Sequence, residues 1–249
     1  MQSIILLAGY GGRLKRDDLP HKALLPFGQD TLLSRHLDCL QKAGVECVYL
    51  VLGHNKEAVK DYVLSLRLDL PVHFIDNDVY RTTGNTLSLV LGLRQCIGDV
   101  LILDGDVFYP PAVLLEYIDK GPASSFALVP SDIDNEECAK VLLRASGEID
   151  AFITKRALTA QERADFQFGG EAIGFFKLSA ADAKCFVRLY ESLEKEFEKV
   201  LWEIPFTEFA READLLPWFI PNEDCFEIDT QEDYDAALAS FEENPDTYL

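Results

Sequence analysis

The residues best suited to chemistry fall in three short segments. The first is Gly9-Tyr10-Gly11-Gly12-Arg13-Leu14, followed by Lys22 in Leu19-Pro20-His21-Lys22-Ala23-Leu24-Leu25-Pro26. Glycine-rich turns let backbone N–H groups close on phosphate oxygens without Cβ obstruction. Two cations, Arg13 and Lys22, flank this turn, a combination that suits a triphosphate. The same pattern also describes an ordinary surface loop with solvated cations. Two common phosphate motifs do not fit: GxGxxG would need a glycine where Leu14 stands, and no Gly-Lys-Ser/Thr follows. The second segment, Asp104-Gly105-Asp106, ends the apolar run Val100–Leu103, and the third is Glu227-Ile228-Asp229. A carboxylate at a strand end beside a phosphate loop is a natural magnesium ligand. Strand ends also carry aspartate simply as a turn residue. Asp104 and Asp106 need not both bind, because Gly105 loosens the expectation that they share a face.

The elements that must position these segments follow from periodicity. Residues 2–8 form a short apolar run bounded by glycine, hence a buried strand, and the glycine- and proline-bearing residues 9–30 form a long loop. Leu32, Leu33, Leu37, Leu40 and Ala43 lie at helical spacing over 31–44, with Gly44 as the stop. Strands are expected at Val45–Leu52, Val72–Ile75 and Asp99–Leu103, and helices at Lys56–Leu66 and Asn85–Gln95. Strands alternating with helices over residues 1–120 imply a largely parallel, three-layer sheet. In such sheets ligands sit beyond the carboxyl ends of the strands, where the loops after residues 8 and 103 both lie. Farther on, strands are expected at Ser124–Pro130, Lys140–Arg144, Glu148–Thr154, Ala172–Leu178, Trp218–Ile220 and Cys225–Ile228. Helices are expected at Ala180–Lys199, Glu203–Ala213 and Gln231–Phe241, the last capped by Thr230. No linker divides the chain.

Of 249 residues, 48% are hydrophobic and 27% charged, the balance of a globular protein. The net charge is −20, which argues against nucleic acid and against an anionic membrane surface as partners. The charge is uneven: residues 1–60 carry +2 and residues 191–249 carry −15. An anion site therefore belongs in the N-terminal part. No apolar stretch approaches bilayer length and the N-terminal run lacks a basic flank, so a cytoplasmic location is expected. The six cysteines are scattered singly among apolar neighbours, which suggests buried thiols in a reducing compartment.

Taken together, Leu7-Ala8-Gly9-Tyr10-Gly11-Gly12-Arg13-Leu14 and Lys22-Ala23-Leu24-Leu25-Pro26-Phe27 resemble the opening signature of glycosyltransferase-A-like nucleotidyltransferases. The helix at Leu32–Gly44, the strand end Asp104-Gly105-Asp106 and the segment Glu227-Ile228-Asp229-Thr230-Gln231-Glu232-Asp233-Tyr234 are similar to later parts of that family, in the same order. Proline is commoner there than His21 immediately before the lysine. Asn77-Asp78-Val79-Tyr80, with Gly84-Asn85-Thr86-Leu87-Ser88-Leu89, resembles small cytidylyltransferases of the bacterial choline-phosphate and aminoethylphosphonate type, as does the pair Trp202-Glu203. The Gly84-Asn85 pair is also similar to inositol-phosphate cytidylyltransferases.

The resemblance implies a three-layer α/β/α Rossmann-like fold with a mixed, mostly parallel sheet. It implies one domain over 1–249, with a nucleotide half at 1–120 and an acceptor half at 121–249. The implied reaction is Mg²⁺-dependent transfer of a cytidylyl group from CTP to a small phosphate or phosphonate, releasing pyrophosphate. By the same resemblance Gly9, Gly11 and Gly12 cradle the triphosphate, with Arg13 at the β/γ-phosphates and Lys22 at the α-phosphate. Asp106 and Asp229 hold the metal. Leu7, Ala8, Gly84, Asn85 and Thr86 form the base and ribose pocket, supported by Ser88. Glu171, Trp202, Glu203 and Tyr190 are the acceptor candidates, with plain helix packing the competing reading for Trp202 and Tyr190. Aromatic faces and carboxylates suit a cationic head group.

Two other readings stay open. One is a nucleotidyltransferase making a CDP-, UDP- or dTDP-sugar or CDP-inositol. The other is a non-catalytic nucleotide-binding homologue, which predicts loss of residues such as Lys22 or Asp106, and both are present. The apolar residues Phe206, Phe209, Leu215, Leu216, Trp218 and Phe219 are either core or the face of a homodimer.

Overall fold

The computed structural model describes residues 1–16, 18–220 and 225–248. Its central sheet has nine strands: β1 (Gln2–Leu7), β2 (Val48–Leu52), β3 (Val72–Asp76), β4 (Val100–Asp104), β5 (Ser125–Val129), β6 (Lys140–Leu143), β7 (Ile149–Ile153), β8 (Gln167–Leu178) and β9 (Leu216–Phe219). The order is β7-β6-β8-β4-β1-β2-β3, and β5 branches from β8 and carries β9. Strands β4, β1, β2 and β3 run parallel. The long β8 enters antiparallel to β4, β5 and β6. The mixed three-layer fold expected from the sequence is the one observed.

Alternation along the strands builds both faces. Ile4 and Leu6 of β1, with Val100 and Ile102 of β4, point to one core. There they meet α3 (Asn85–Leu93), α5 (Ala180–Ser192) and α6 (Glu203–Phe209). Ile5 and Leu7, with Leu101 and Leu103, point to the other. There they meet α1 (Leu32–Lys42), α2 (Lys56–Ser65) and α4 (Pro111–Lys120). Both faces of β1 and β4 are therefore apolar, which is why these strands read as continuous hydrophobic runs. A third cluster packs Leu14, Leu25 and Phe27 against Phe108, Ile228 and Tyr234. It seats α7 (Gln231–Glu243) on the loop after β1. Thr230 caps α7 in a reciprocal box with Asp233, as expected.

Several boundaries differ from expectation. The helix expected over Ala180–Lys199 stops at Ser192, and a separate turn, Glu194–Phe197, follows. The break lets Phe197 reach the core and lets Glu198 and Val200 meet Gly84. The helix expected over Glu203–Ala213 ends at Phe209, and the Arg144 guanidinium takes the carbonyl of Ala210 at 2.6 Å. The strand expected from Ala172 begins at Gln167, pairing with β6 through a register shift between Phe168 and Gly170. Phe206, Phe209 and Leu215 are core residues, whereas Leu216 and Phe219 are exposed on β9. Cys39, Cys47 and Cys138 are buried as expected, but Cys185 is exposed on α5. Among the described residues, no helix is long and apolar enough to cross a membrane.

Candidate active site

The site forms where β1 and β4 end. After Leu7 the chain runs through the glycine loop, closed by a hydrogen bond from the Leu14 N–H to the Gly11 carbonyl, with Leu14 buried beneath. Lys22 opens a short 3-10 turn, Lys22–Leu24. Its Nζ lies 2.9 Å from Asp106 Oδ2 and 2.9 Å from Asp229 Oδ1. Burial works against the Lys22 charge, but Asp106 and Asp229 outweigh it and hold its pKa above the usual lysine value. The exposed Arg13 guanidinium reaches Asp229 Oδ2 at 2.5 Å.

Two local devices bring the carboxylates together. Gly105 turns the chain after β4: its N–H donates to the Leu6 carbonyl, and a Cβ there would lie 2.1 Å from Leu7 Cδ2. No side chain fits, so the turn can lay Asp106 against the glycine loop. A two-residue ladder pairs Glu227 with Val107 and Phe226 with Phe108, and the Ile228 N–H donates to the Asp106 carbonyl. Asp229 then leads into Thr230 and α7, where the Tyr234 hydroxyl donates to the Pro26 carbonyl at 2.7 Å. The distant C-terminal segment is thereby clamped to the loop bearing Lys22.

Asp106, Glu227 and Asp229 place carboxylate oxygens within 4.8 Å of one another. Asp106 Oδ1 is buried without a hydrogen-bond partner among the described residues. Hard oxygen donors at this spacing fit a divalent cation such as Mg²⁺. Glu227 meets water in the cleft yet is walled in by protein. That burial, reinforced by Asp106 and Asp229, pushes its pKa up to about 8.

Beside this cluster opens a cleft of about 370 Å³. One wall includes Ala8, Gly9, Asn77, Gly84, Asn85 and Ser88, and the far wall includes Asp104, Trp202 and Glu203. Asn77 donates to Ser88 Oγ at 3.0 Å, and Asn85 Oδ1 accepts the Trp202 N–H at 2.8 Å. Trp202 Nε1 donates to Asp104 Oδ2 at 3.3 Å. Burial, then the nearby carboxylates Asp106, Glu227 and Glu203, hold the Asp104 pKa well above the usual range. Glu203 is 8% exposed and its Oε2 has no hydrogen-bond partner among the described residues, so burial raises its pKa too. The far wall is acidic, aromatic and short of internal cations.

The structure thus brings together Ala8, Gly9, Arg13, Gly84, Asn85, Ser88, Asp106, Trp202, Glu203 and Asp229. Leu7, Gly11, Gly12 and Lys22 line an adjoining groove of about 210 Å³ that shares Gly9, Arg13, Asp106 and Asp229 with the cleft. Three expected residues stand elsewhere. Thr86 is fully buried and donates to the Val200 carbonyl at 2.8 Å, so it braces the wall without lining it. Tyr190 is 1% exposed within the core and cannot meet a ligand in the cleft. Glu171 does not line the cleft; burial raises its pKa, and its charge acts on Glu227 from outside the lining. Glu227 belongs with the carboxylate cluster of Asp106 and Asp229, although the resemblance pointed only to those two; the signal was its place two residues before Asp229. Asp104 and Tyr80 also line the cleft; each lies in a segment singled out in the sequence, Asp104 as a possible metal ligand and Tyr80 within Asn77-Asp78-Val79-Tyr80, although neither was assigned to this wall.

A mixed sheet, a glycine loop at the carboxyl ends of its parallel strands and a lysine between facing carboxylates define a nucleotidyltransferase domain. Residues 3–163 match the family described as "MobA-like NTP transferase domain", and the chain belongs to it. Over 126 residues, half of this chain, it is 33% identical to a CMP-5'-(3-aminopropyl)phosphonate synthase of Streptomyces rubellomurinus. Over 104 residues, 41% of this chain, it is 36% identical to a bifunctional protein GlmU of Trichormus variabilis. These matches span 20% and 22% of those relatives' own lengths. Among solved structures, the fold is similar to the CTP:phosphocholine cytidylyltransferase LicC of Streptococcus pneumoniae, with TM-score 0.74, 20% identity and coverage of 96% of this chain and 97% of that one. It is also similar to the inositol-1-phosphate CTP transferase of T. maritima, with TM-score 0.75, 21% identity and coverage of 97% and 96%.

Proposed function

We propose that the chain transfers a cytidylyl group from CTP to a small phosphate monoester or phosphonate whose far end is cationic, of the choline phosphate or 2-aminoethylphosphonate type. An oxygen of the acceptor anion attacks the α-phosphorus of CTP, the α–β bridging P–O bond breaks, and pyrophosphate leaves with that electron pair. No covalent enzyme intermediate is required, because the nucleophile is already anionic. The work left to the protein is positioning and charge neutralisation. Backbone N–H groups of Gly9, Gly11 and Gly12 cradle the triphosphate. Arg13 meets the β/γ-phosphates, and Lys22 stands between the α-phosphate and the incoming anion. Asp106 and Asp229, with Glu227 beside them, would hold Mg²⁺, which when bound supplies positive charge against the phosphate oxygens. Gly84, Asn85 and Ser88 form the wall for base and ribose.

The observation that carries the reaction is Lys22 Nζ at 2.9 Å from both Asp106 and Asp229, at the mouth of the glycine loop. The observation that favours a cationic acceptor is the far wall, where a buried Glu203 oxygen without a partner stands beside Trp202 and Asp104. The aminopropylphosphonate-linked relative supports the same reading. The GlmU relative supports a second, a sugar phosphate as acceptor. The deciding measurement is pyrophosphate release with each of CTP, UTP, dTTP, ATP and GTP against choline phosphate, 2-aminoethylphosphonate, inositol phosphate and sugar 1-phosphates. The reading holds if CTP with a cationic acceptor turns over fastest. Preference for a sugar phosphate overturns it. The reading places the protein in the cytoplasm, where CTP is available.

A further inference from the structure

His21 stands where the family resemblance expects proline, and it makes contacts no proline could make. We infer that His21 is a positioning residue for Lys22: its imidazole ties the end of β1, where the glycine loop departs, to the turn that presents the lysine ammonium. The ring is 6% exposed. Its Nε2 lies 3.0 Å from the Leu7 carbonyl, and its Nδ1 accepts the Ala23 N–H at 3.1 Å. A carbonyl can only accept and an amide can only donate, so the proton sits on Nε2 and the tautomer is fixed. Both ring nitrogens are thus engaged by backbone, one on each side of the phosphate groove.

The tie has little slack. The Lys22 side chain passes Gly11 so closely that a Cβ on Gly11 would lie 3.3 Å from Lys22 Cβ and from Lys22 Cδ. Moving the turn toward the loop closes that gap, and moving it away draws Nζ off Asp106 and Asp229. The contact extends into the loop itself: His54 lies 6.5 Å from His21 and packs edge-on against Tyr10 at 4.5 Å. A displacement of about 1 Å at a catalytic cation is enough to cost roughly a hundredfold in rate. The inference rests on the role of Lys22 proposed above.

The test is a double-mutant cycle on pyrophosphate release, with CTP and 2-aminoethylphosphonate or choline phosphate as probes. His21→Ala is expected to lower kcat about tenfold in the otherwise native chain. In a Lys22→Ala background it should lower kcat less than twofold, because the group it positions is gone. Equal losses in both backgrounds overturn the inference and leave His21 a merely structural residue. Undiminished turnover in Lys22→Ala alone instead overturns the reading of the site, so the two failures are distinguishable. If His21→Ala does not fold, the same cycle is run with His21→Asn, which keeps an acceptor for Ala23 N–H, and His21→Gln, which keeps a donor toward Leu7. Partial activity in these two that vanishes as a difference without Lys22 supports the inference. Additive losses overturn it.

Discussion

Gly84 lies directly against the backbone of Val200: a Cβ on Gly84 would fall 1.9 Å from the Val200 carbonyl oxygen. Around this contact the Gly84 N–H donates to the Glu198 carbonyl, Thr86 Oγ1 donates to Val200, and Asn85 accepts from Trp202. This contact and three hydrogen bonds of residues 84–86 strap this wall of the cleft to the segment that carries Trp202 and Glu203. Gly84→Ala must therefore push residues 198–202 outward. Overpacking of this kind costs about 1–3 kcal/mol. The expected outcome is a lower melting temperature together with a raised acceptor KM, since Trp202 and Glu203 move with the strap. An unchanged acceptor KM in a folded variant would show that the strap does not set the acceptor wall.

Lys22→Ala and Asp106→Ala should each reduce turnover by well over tenfold, more than about 1.4 kcal/mol in the barrier. Asp106 lines the cleft and Lys22 the adjoining groove, so the variants should keep native circular dichroism. Near-normal turnover in both would remove the basis for phosphoryl transfer at this site.

Much of this site was legible because its parts are local in sequence. The glycine loop, Lys22, Asp106 and Asp229 each sit in a short pattern whose chemistry does not depend on tertiary detail. Tyr190 was legible too, with the opposite meaning: Ala183, Phe186 and Tyr190 share the helical stripe that faces the core. Glu171 was not legible. Its direction depends on how β8 pairs with β5 and β6, and register shifts between Phe168 and Gly170 and between Ala172 and Phe176 reset the alternation. The grouping of Asp104 with Glu203 was equally hidden, since it arises only when the chain after α5 breaks and folds back onto Gly84.

Glu203→Gln separates acceptor binding from nucleotide binding. The change removes a buried carboxylate whose Oε2 has no partner among the described residues, so the melting temperature should hold or rise. The KM for 2-aminoethylphosphonate or choline phosphate should rise about tenfold or more, with the KM for CTP unchanged. Glycerol phosphate, which has no cation, should show no such shift. Glu171→Gln, outside the cleft lining, is the comparison and should leave the acceptor KM near native. A native acceptor KM in Glu203→Gln would count against a cation subsite on this wall.

Three carboxylates lie within 4.8 Å of one another, and the Lys22 ammonium bridges only Asp106 and Asp229, leaving Glu227 without a cation of its own among the described residues. Mg²⁺ should therefore raise the melting temperature of the ligand-free chain by mass action. Glu227→Gln and Asp229→Asn should reduce that rise, and chelation should abolish turnover until Mg²⁺ is restored. A melting temperature that does not respond to Mg²⁺ in the native chain, with turnover surviving chelation, would refute a metal at this cluster.

The acid limb of stability should trace two buried imidazoles. Burial pushes His21 down to about 4 and His36, fully enclosed with Nδ1 at 2.7 Å from the Tyr109 hydroxyl, down to about 3. Unfolded, each regains a pKa near 6.5. The unfolded chain therefore binds protons that the native chain refuses, and stability falls as pH drops from about 6.5 toward the folded values. From about 1.4 kcal/mol per pKa unit, the loss is at most on the order of 3.5 kcal/mol for His21 and 5 kcal/mol for His36. Above pH 7 both states hold these rings neutral and the contribution is flat. The raised carboxyls of Asp104, Glu203 and Glu227 act in the opposite sense, because their protonation relieves the native state. The histidine part is isolated by variants: unfolding free energy against pH for His21→Asn and for His36→Gln should each show about one fewer proton taken up between pH 6.5 and 4.5. Native slopes in both variants would mean that neither ring is held neutral by the fold. That result would also undo the fixed tautomer on which the role of His21 depends.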